Sequence, residues 1–180
     1  MATILTGFSM DRLDTRLYDR ITRLLDTWSE SGLPARASLH AAADDLIKWR
    51  VVNGIPGLWR NPPLMIGATL DDGWGYGIQL ILKFAEALGC GTRFLGVLLP
   101  VDTIVDVCKK ESPDIIGLTV LQLDTEDALT ELRGRLPRNI RLIMGGPVFN
   151  IDPEMAQRVG IDFVAGNAAH FIRHMINAWP

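Results

Sequence analysis

Three stretches of this 180-residue chain carry residue types able to hold a ligand against bare backbone. The first is Ile66-Gly67-Ala68-Thr69-Leu70-Asp71-Asp72-Gly73-Trp74-Gly75-Tyr76-Gly77, with two aspartates ahead of three glycines in five residues. Glycine lets a loop turn sharply and approach a ligand that a side chain would exclude. The spacing of Gly73, Gly75 and Gly77 is not that of a dinucleotide fingerprint, and no Gly-Lys-Ser/Thr ending makes a phosphate loop. On these residues alone the stretch is either a ligand cradle or a tight turn without a ligand. The second stretch is Gly145-Gly146-Pro147, after the apolar run Ile140–Met144. It offers bare backbone to a ligand, or a left-handed turn before the next helix. The third, Thr119-Val120-Leu121-Gln122-Leu123, brings a hydroxyl to the end of another apolar run.

Other chemistries find no support. His170 and His174 stand four apart, which places both on one helical face, but no third metal ligand lies near them. His40 is alone on its helix. No Ser-His-Asp or Cys-His arrangement is visible, and Asp71-Asp72 is the one carboxylate pair that stands out. Neither a self-contained hydrolase nor a metal centre is expected. Cys90 and Cys108 are isolated and read as buried structural thiols. A net charge of -3 with scattered arginines argues against nucleic acid, which needs a basic face. No apolar run approaches the ~20 residues of a membrane span. The start, Met1-Ala2-Thr3-Ile4-Leu5, lacks the basic region of a signal peptide, so a cytoplasmic chain is expected.

The elements that must position the three stretches are legible from periodicity. Residues 10–30 form an amphipathic helix with Leu13, Leu17, Ile21, Leu24, Leu25 and Trp28 on one face. A second helix covers 35–52, and the turn-rich stretch Asn53–Pro63 follows. The predicted boundary separates an N-terminal helical segment, 1–60, from an α/β domain, 61–180. From Leu64 the pattern is β-α five times, with strands near 64–69, 92–98, 114–120, 140–144 and 161–164. Helices are expected near 77–89, 101–111, 124–135, 153–159 and 168–178. This predicts a flavodoxin-like (Rossmann-like) five-stranded parallel sheet, order 2-1-3-4-5, with helices on both faces. The Asp71–Gly77 and Thr119–Leu123 loops then meet at the switch point on its carboxyl edge. The N-terminal stripe must be buried somewhere, since isolated helices of this length are marginal. A two-fold dimer through these helices is expected; the alternative folds them back over the carboxyl edge.

Asp72-Gly73-Trp74-Gly75-Tyr76-Gly77, Thr119-Val120-Leu121 and Gly145-Gly146 stand in order, supported by Leu95–Pro100, Ser112–Leu118 and Gly160–Ala165. In this respect the chain from Leu64 onward resembles the cobalamin-binding domain of methionine synthase and of corrinoid methyl-carrier proteins. That family carries Asp-x-His-x-x-Gly, Ser-x-Leu and Gly-Gly after its first, third and fourth strands. The resemblance implies cobalamin as cofactor, bound by Asp72, Gly73, Trp74, Gly75, Tyr76, Gly77, Leu98, Thr119, Val120, Leu121, Gly145, Gly146, Phe163 and Ala165. It implies methyl or corrinoid transfer to a partner methyltransferase or other corrinoid-dependent enzyme, the chain itself performing no catalysis.

The departures shape these expectations. Trp74 stands where the family histidine coordinates cobalt, and an indole nitrogen has no free lone pair. Thr119 keeps the hydroxyl of the family serine, whereas Leu123 replaces a hydroxyl residue. Only two helices' worth of the family's four-helix cap is present. A corrinoid is therefore expected in its base-off form without a histidine ligand, with Trp74 packed beneath it. The competing reading is a cofactor-free sensory or interaction module, or one binding another tetrapyrrole, in which Trp74 fills the vacated pocket. Gly145 and Gly146 are expected to lie against the ligand, so that Gly146→Val abolishes binding and leaves the apo melt unchanged.

Overall fold

The computed structural model describes residues 15–178. Five strands form one parallel sheet: β1 (Leu64–Thr69), β2 (Gly91–Gly96), β3 (Ile115–Thr119), β4 (Arg141–Gly145) and β5 (Phe163–Val164). Their order is β2-β1-β3-β4-β5, the predicted flavodoxin-like arrangement. The register pairs Thr69 with Thr119 and Thr119 with Gly145. Three sequence-distant residues are thereby aligned at the carboxyl ends of the central strands.

Eight helices complete the described residues: α1 (Thr15–Ser31), α2 (Arg36–Val52), α3 (Tyr76–Leu88), α4 (Val101–Glu111), α5 (Glu126–Arg135), α6 (Val148–Ile151), α7 (Met155–Val159) and α8 (Ala168–Ala178). Side chains alternate across a strand. Met65, Ile115 and Ile143 therefore join one core with α1, α2, α3 and α8. Ile66, Ile116, Leu142 and Met144 join another with α4, α5, α6 and α7. Strands apolar on both faces must be covered twice, as parallel sheets are. Among the described residues no helix is long and apolar enough to cross a membrane.

The N-terminal stripe finds its cover within the chain. Leu17, Ile21, Leu25 and Trp28 are buried, with α1 on α8 and α2 on α3. Trp28 meets Phe84 edge to face, their centroids 5.8 Å apart. Leu24 is half-buried, and Leu13 lies outside the described residues, as does the chain start. The reason for expecting a dimer, an apolar stripe with nothing to cover it, is thus removed. In the connector, Ile55, Leu58 and Trp59 are buried in the same core as the helices. Arg50 ties it down, donating to the carbonyls of Ile55, Pro56 and Glu86.

Three local differences from the sequence reading have physical causes. The helix expected at 153–159 forms as α7, from Met155, and a short helix that was not expected, α6, precedes it and ends before Asp152-Pro153. Proline lacks an N–H and pushes its predecessor out of helical geometry; Asp152 has φ -131° and ψ 84°. The second strand stops at Gly96, because Leu98 turns back with φ +50°. The fifth strand shortens to Phe163–Val164, and the Asp162 carboxylate instead accepts the Leu142 N–H.

Candidate functional site

Asp71 and Asp72 organise the carboxyl edge. Asp72 is buried, and its Oδ1 accepts the backbone N–H of Trp74 at 2.8 Å, which fixes the turn. Its carbonyl accepts the Thr69 hydroxyl, whose oxygen in turn accepts the Leu98 N–H at 3.0 Å. Asp71 reaches across the sheet, its Oδ2 accepting the N–H groups of Leu121 and Gln122 at 2.9 Å and the Thr125 hydroxyl at 2.8 Å. The loops after β1, β2 and β3 are consequently one hydrogen-bonded unit. Sequence reasoning singled out Asp72 and missed the larger role of Asp71, whose partners lie 50 residues or more away.

Above this unit lies an exposed apolar rim. Trp74 is 70% exposed and stacks on Tyr76, with 5.7 Å between centroids and 16° between planes. The Arg36 guanidinium, at the start of α2, lies 4.6 Å from the Tyr76 ring centroid. Leu98 is 58% exposed, and Leu121 and Leu123 are exposed as well. Gly73 lies beside Leu98, and the buried Gly75 beside Phe94 and Val97. Trp74 therefore fills no pocket. A cluster of large apolar side chains left in water marks a surface that something else covers.

Next to the rim is a cavity of about 320 Å³, bounded by α3, the first turns of α2 and α8, and the ends of β3, β4 and β5. Gly77, Thr119, Gly145, Gly146 and Ala165, all expected from sequence, line it. Leu33, Arg36, Leu39, Asn167 and Ala168 line it too and were not expected. Their only sequence signal was the Gly32-Leu33-Pro34 break between two helices, which does not say where that break lies in space. A Cβ on Gly77 would sit 2.9 Å from the Thr119 hydroxyl oxygen, so a side chain there would force Thr119 to shift.

Two expected residues, Val120 and Phe163, stand elsewhere. Val120 is buried, with its carbonyl against Gly146. Gly146 has φ +131°, and any Cβ there would drive into that carbonyl; one on Gly145 would meet the Ala165 carbonyl at 2.8 Å. The chain itself forbids side chains at this pair, so the fold alone gives a reason for glycine where the sequence reading looked to a ligand. Phe163 is absent from the cavity wall and stacks on His174 at 3.8 Å. Burial, with Arg141 adding to it, pushes the His174 pKa down. No group of three metal-ligating side chains occurs among the described residues. Both thiols are inert: burial raises Cys90 to about 12 and Cys108 to about 11.

These surfaces suit a corrinoid. The cavity offers apolar walls to an aromatic tail, and the rim offers a flat apolar face to a macrocycle. Trp74 on this rim is a hydrogen-bond donor without a lone pair to give a metal. The comparisons agree with this geometry. Residues 64–175 match the B12 binding domain model. The fold is similar to that of a cobalamin-binding protein from Desulfitobacterium hafniense DCB-2, with TM-score 0.71 and 24% identity over 88% of this chain and 81% of that one. It is also similar to the monomethylamine corrinoid protein of Methanosarcina barkeri, with TM-score 0.60 and 16% identity over 87% and 77%. A chain of the methanol:cobalamin methyltransferase complex of Methanosarcina barkeri gives TM-score 0.65 and 18% identity over 91% and 65%. Motifs, sheet order, cavity and family match converge, and the chain belongs to the B12-binding domain family, whose cofactor is cobalamin.

Proposed function

We propose that this protein holds cobalamin base-off, with no histidine on the metal, and presents it to a partner enzyme for methyl or corrinoid transfer. The observation that carries the reading is the pairing of an apolar cavity with an exposed aromatic and leucine rim on one sheet edge. The cavity takes the nucleotide tail, and the rim residues Gly73, Trp74, Gly75, Tyr76, Leu98 and Leu121 face the macrocycle. Cobalt supplies the transfer chemistry when the cofactor is bound. The chain's own residues bind and orient. Asp71 and Asp72 lock the loops, Thr119 brings a hydroxyl to the cavity wall, and Trp74 gives a flat apolar face in place of an imidazole. The α/β part from residue 61 onward forms the platform, and α1 and α2 pack on α8 and α3 and bring Leu33, Arg36 and Leu39 to the cavity. The similarity in fold to the monomethylamine corrinoid protein and to a chain of the methanol:cobalamin methyltransferase complex suggests a methyltransferase as partner.

The test is direct. Apo protein mixed with hydroxocobalamin and passed over a sizing column should elute with the corrinoid absorbance bands at one equivalent. Elution without the cofactor would refute the reading and leave the interaction module.

A further inference from the structure

We infer that Arg36 is a specificity residue of the cavity, which selects a corrinoid carrying a phosphate-linked nucleotide tail over one without it. This rests on the proposed function and adds what part of the ligand is recognised. Arg36 is the only charged residue among those lining the cavity, whose remaining wall is apolar or glycine apart from Thr119 and Asn167. Among the described residues no carboxylate answers it: the ion pairs leave Arg36 out, and its ring contact is with Tyr76. That stacking holds the guanidinium at the junction of cavity and rim, since Tyr76 also stacks on Trp74.

Arg36 is exposed at the cavity mouth. A ligand filling the cavity would cover it and strip part of its water, which is costly unless the ligand brings an anion. The guanidinium fork matches two phosphate oxygens at once. Asn167 adds a donor, because its Oδ1 accepts the His170 N–H and its amide nitrogen remains. An apolar pocket with one cation at its junction with a flat rim fits a ligand of three parts: an aromatic base, a phosphodiester and a macrocycle. The phosphodiester belongs at Arg36.

The test measures corrinoid affinity, by quenching of tryptophan fluorescence, for cobalamin and for cobinamide, which lacks phosphate, ribose and base. Full-length wild type, Arg36→Gln and Arg36→Lys are compared, with thermal melts confirming the fold. Losing a charged hydrogen-bond partner should weaken cobalamin binding by about tenfold or more in Arg36→Gln. Cobinamide affinity should stay unchanged, and Arg36→Lys should recover part of the loss. Equal effects on both corrinoids, or on neither, would overturn the inference while the proposed function stands. If millimolar inorganic phosphate stabilises wild type but not Arg36→Gln, Arg36 serves a free anion and the inference is overturned. Wild type that binds neither corrinoid overturns the proposed function, and the inference with it.

Discussion

The cavity wall and the rim share one sheet edge but are built on opposite terms. At the wall, Gly77, Gly145 and Gly146 sit where neighbouring atoms of the same chain leave no room for a side chain. On the rim, the side chains of Trp74, Tyr76 and Leu98 are exposed, while their backbone is held by the Asp72 and Thr69 hydrogen bonds. The wall is a consequence of folding, and its residues answer to the fold. The rim costs the fold little and gains its meaning only from what covers it.

Substitutions should separate the two. The largest effect is expected from Gly146→Val, where φ +131° and the Val120 carbonyl both oppose a side chain. It should destabilise the apo protein by more than about 3 kcal/mol, read as a lowered melting temperature. An unchanged melt would break the distinction and restore the ligand as the reason for glycine. Asp71→Ala comes next. It strips the acceptor from two backbone N–H groups and the Thr125 hydroxyl, and should cost about 2 kcal/mol by denaturant unfolding. It should also loosen the β3 loop, seen as faster amide exchange at Leu121 and Gln122. Trp74→Ala is expected to change stability by no more than about 0.5 kcal/mol, since the side chain is exposed. Its cobalamin affinity should nonetheless fall by about tenfold, from lost apolar contact. A large stability loss with unchanged affinity would show that Trp74 belongs to the fold.

Sheet order and most elements were legible because they follow from local periodicity. β1 at 64–69, α4 at 101–111 and α8 at 168–178 match the sequence reading residue for residue. The glycine loops were legible as places, though not in their reasons. Nothing near Gly146 in sequence announces the Val120 carbonyl, which reaches it through the pairing of β3 with β4. Arg36 and Leu33 were invisible as cavity residues because their placement depends on α2 docking against α3. The stripe Leu17, Ile21, Leu25 and Trp28 was read correctly as needing burial, but periodicity does not name the surface that supplies it.

The most direct measurement of the central claim is electron paramagnetic resonance of cob(II)alamin bound to wild type and to Trp74→His. An indole cannot coordinate, so wild type should show no nitrogen superhyperfine splitting, and Trp74→His should introduce it. Clear nitrogen splitting in wild type would mean that an imidazole, or the cofactor's own base, reaches cobalt, and would contradict an open lower face over Trp74.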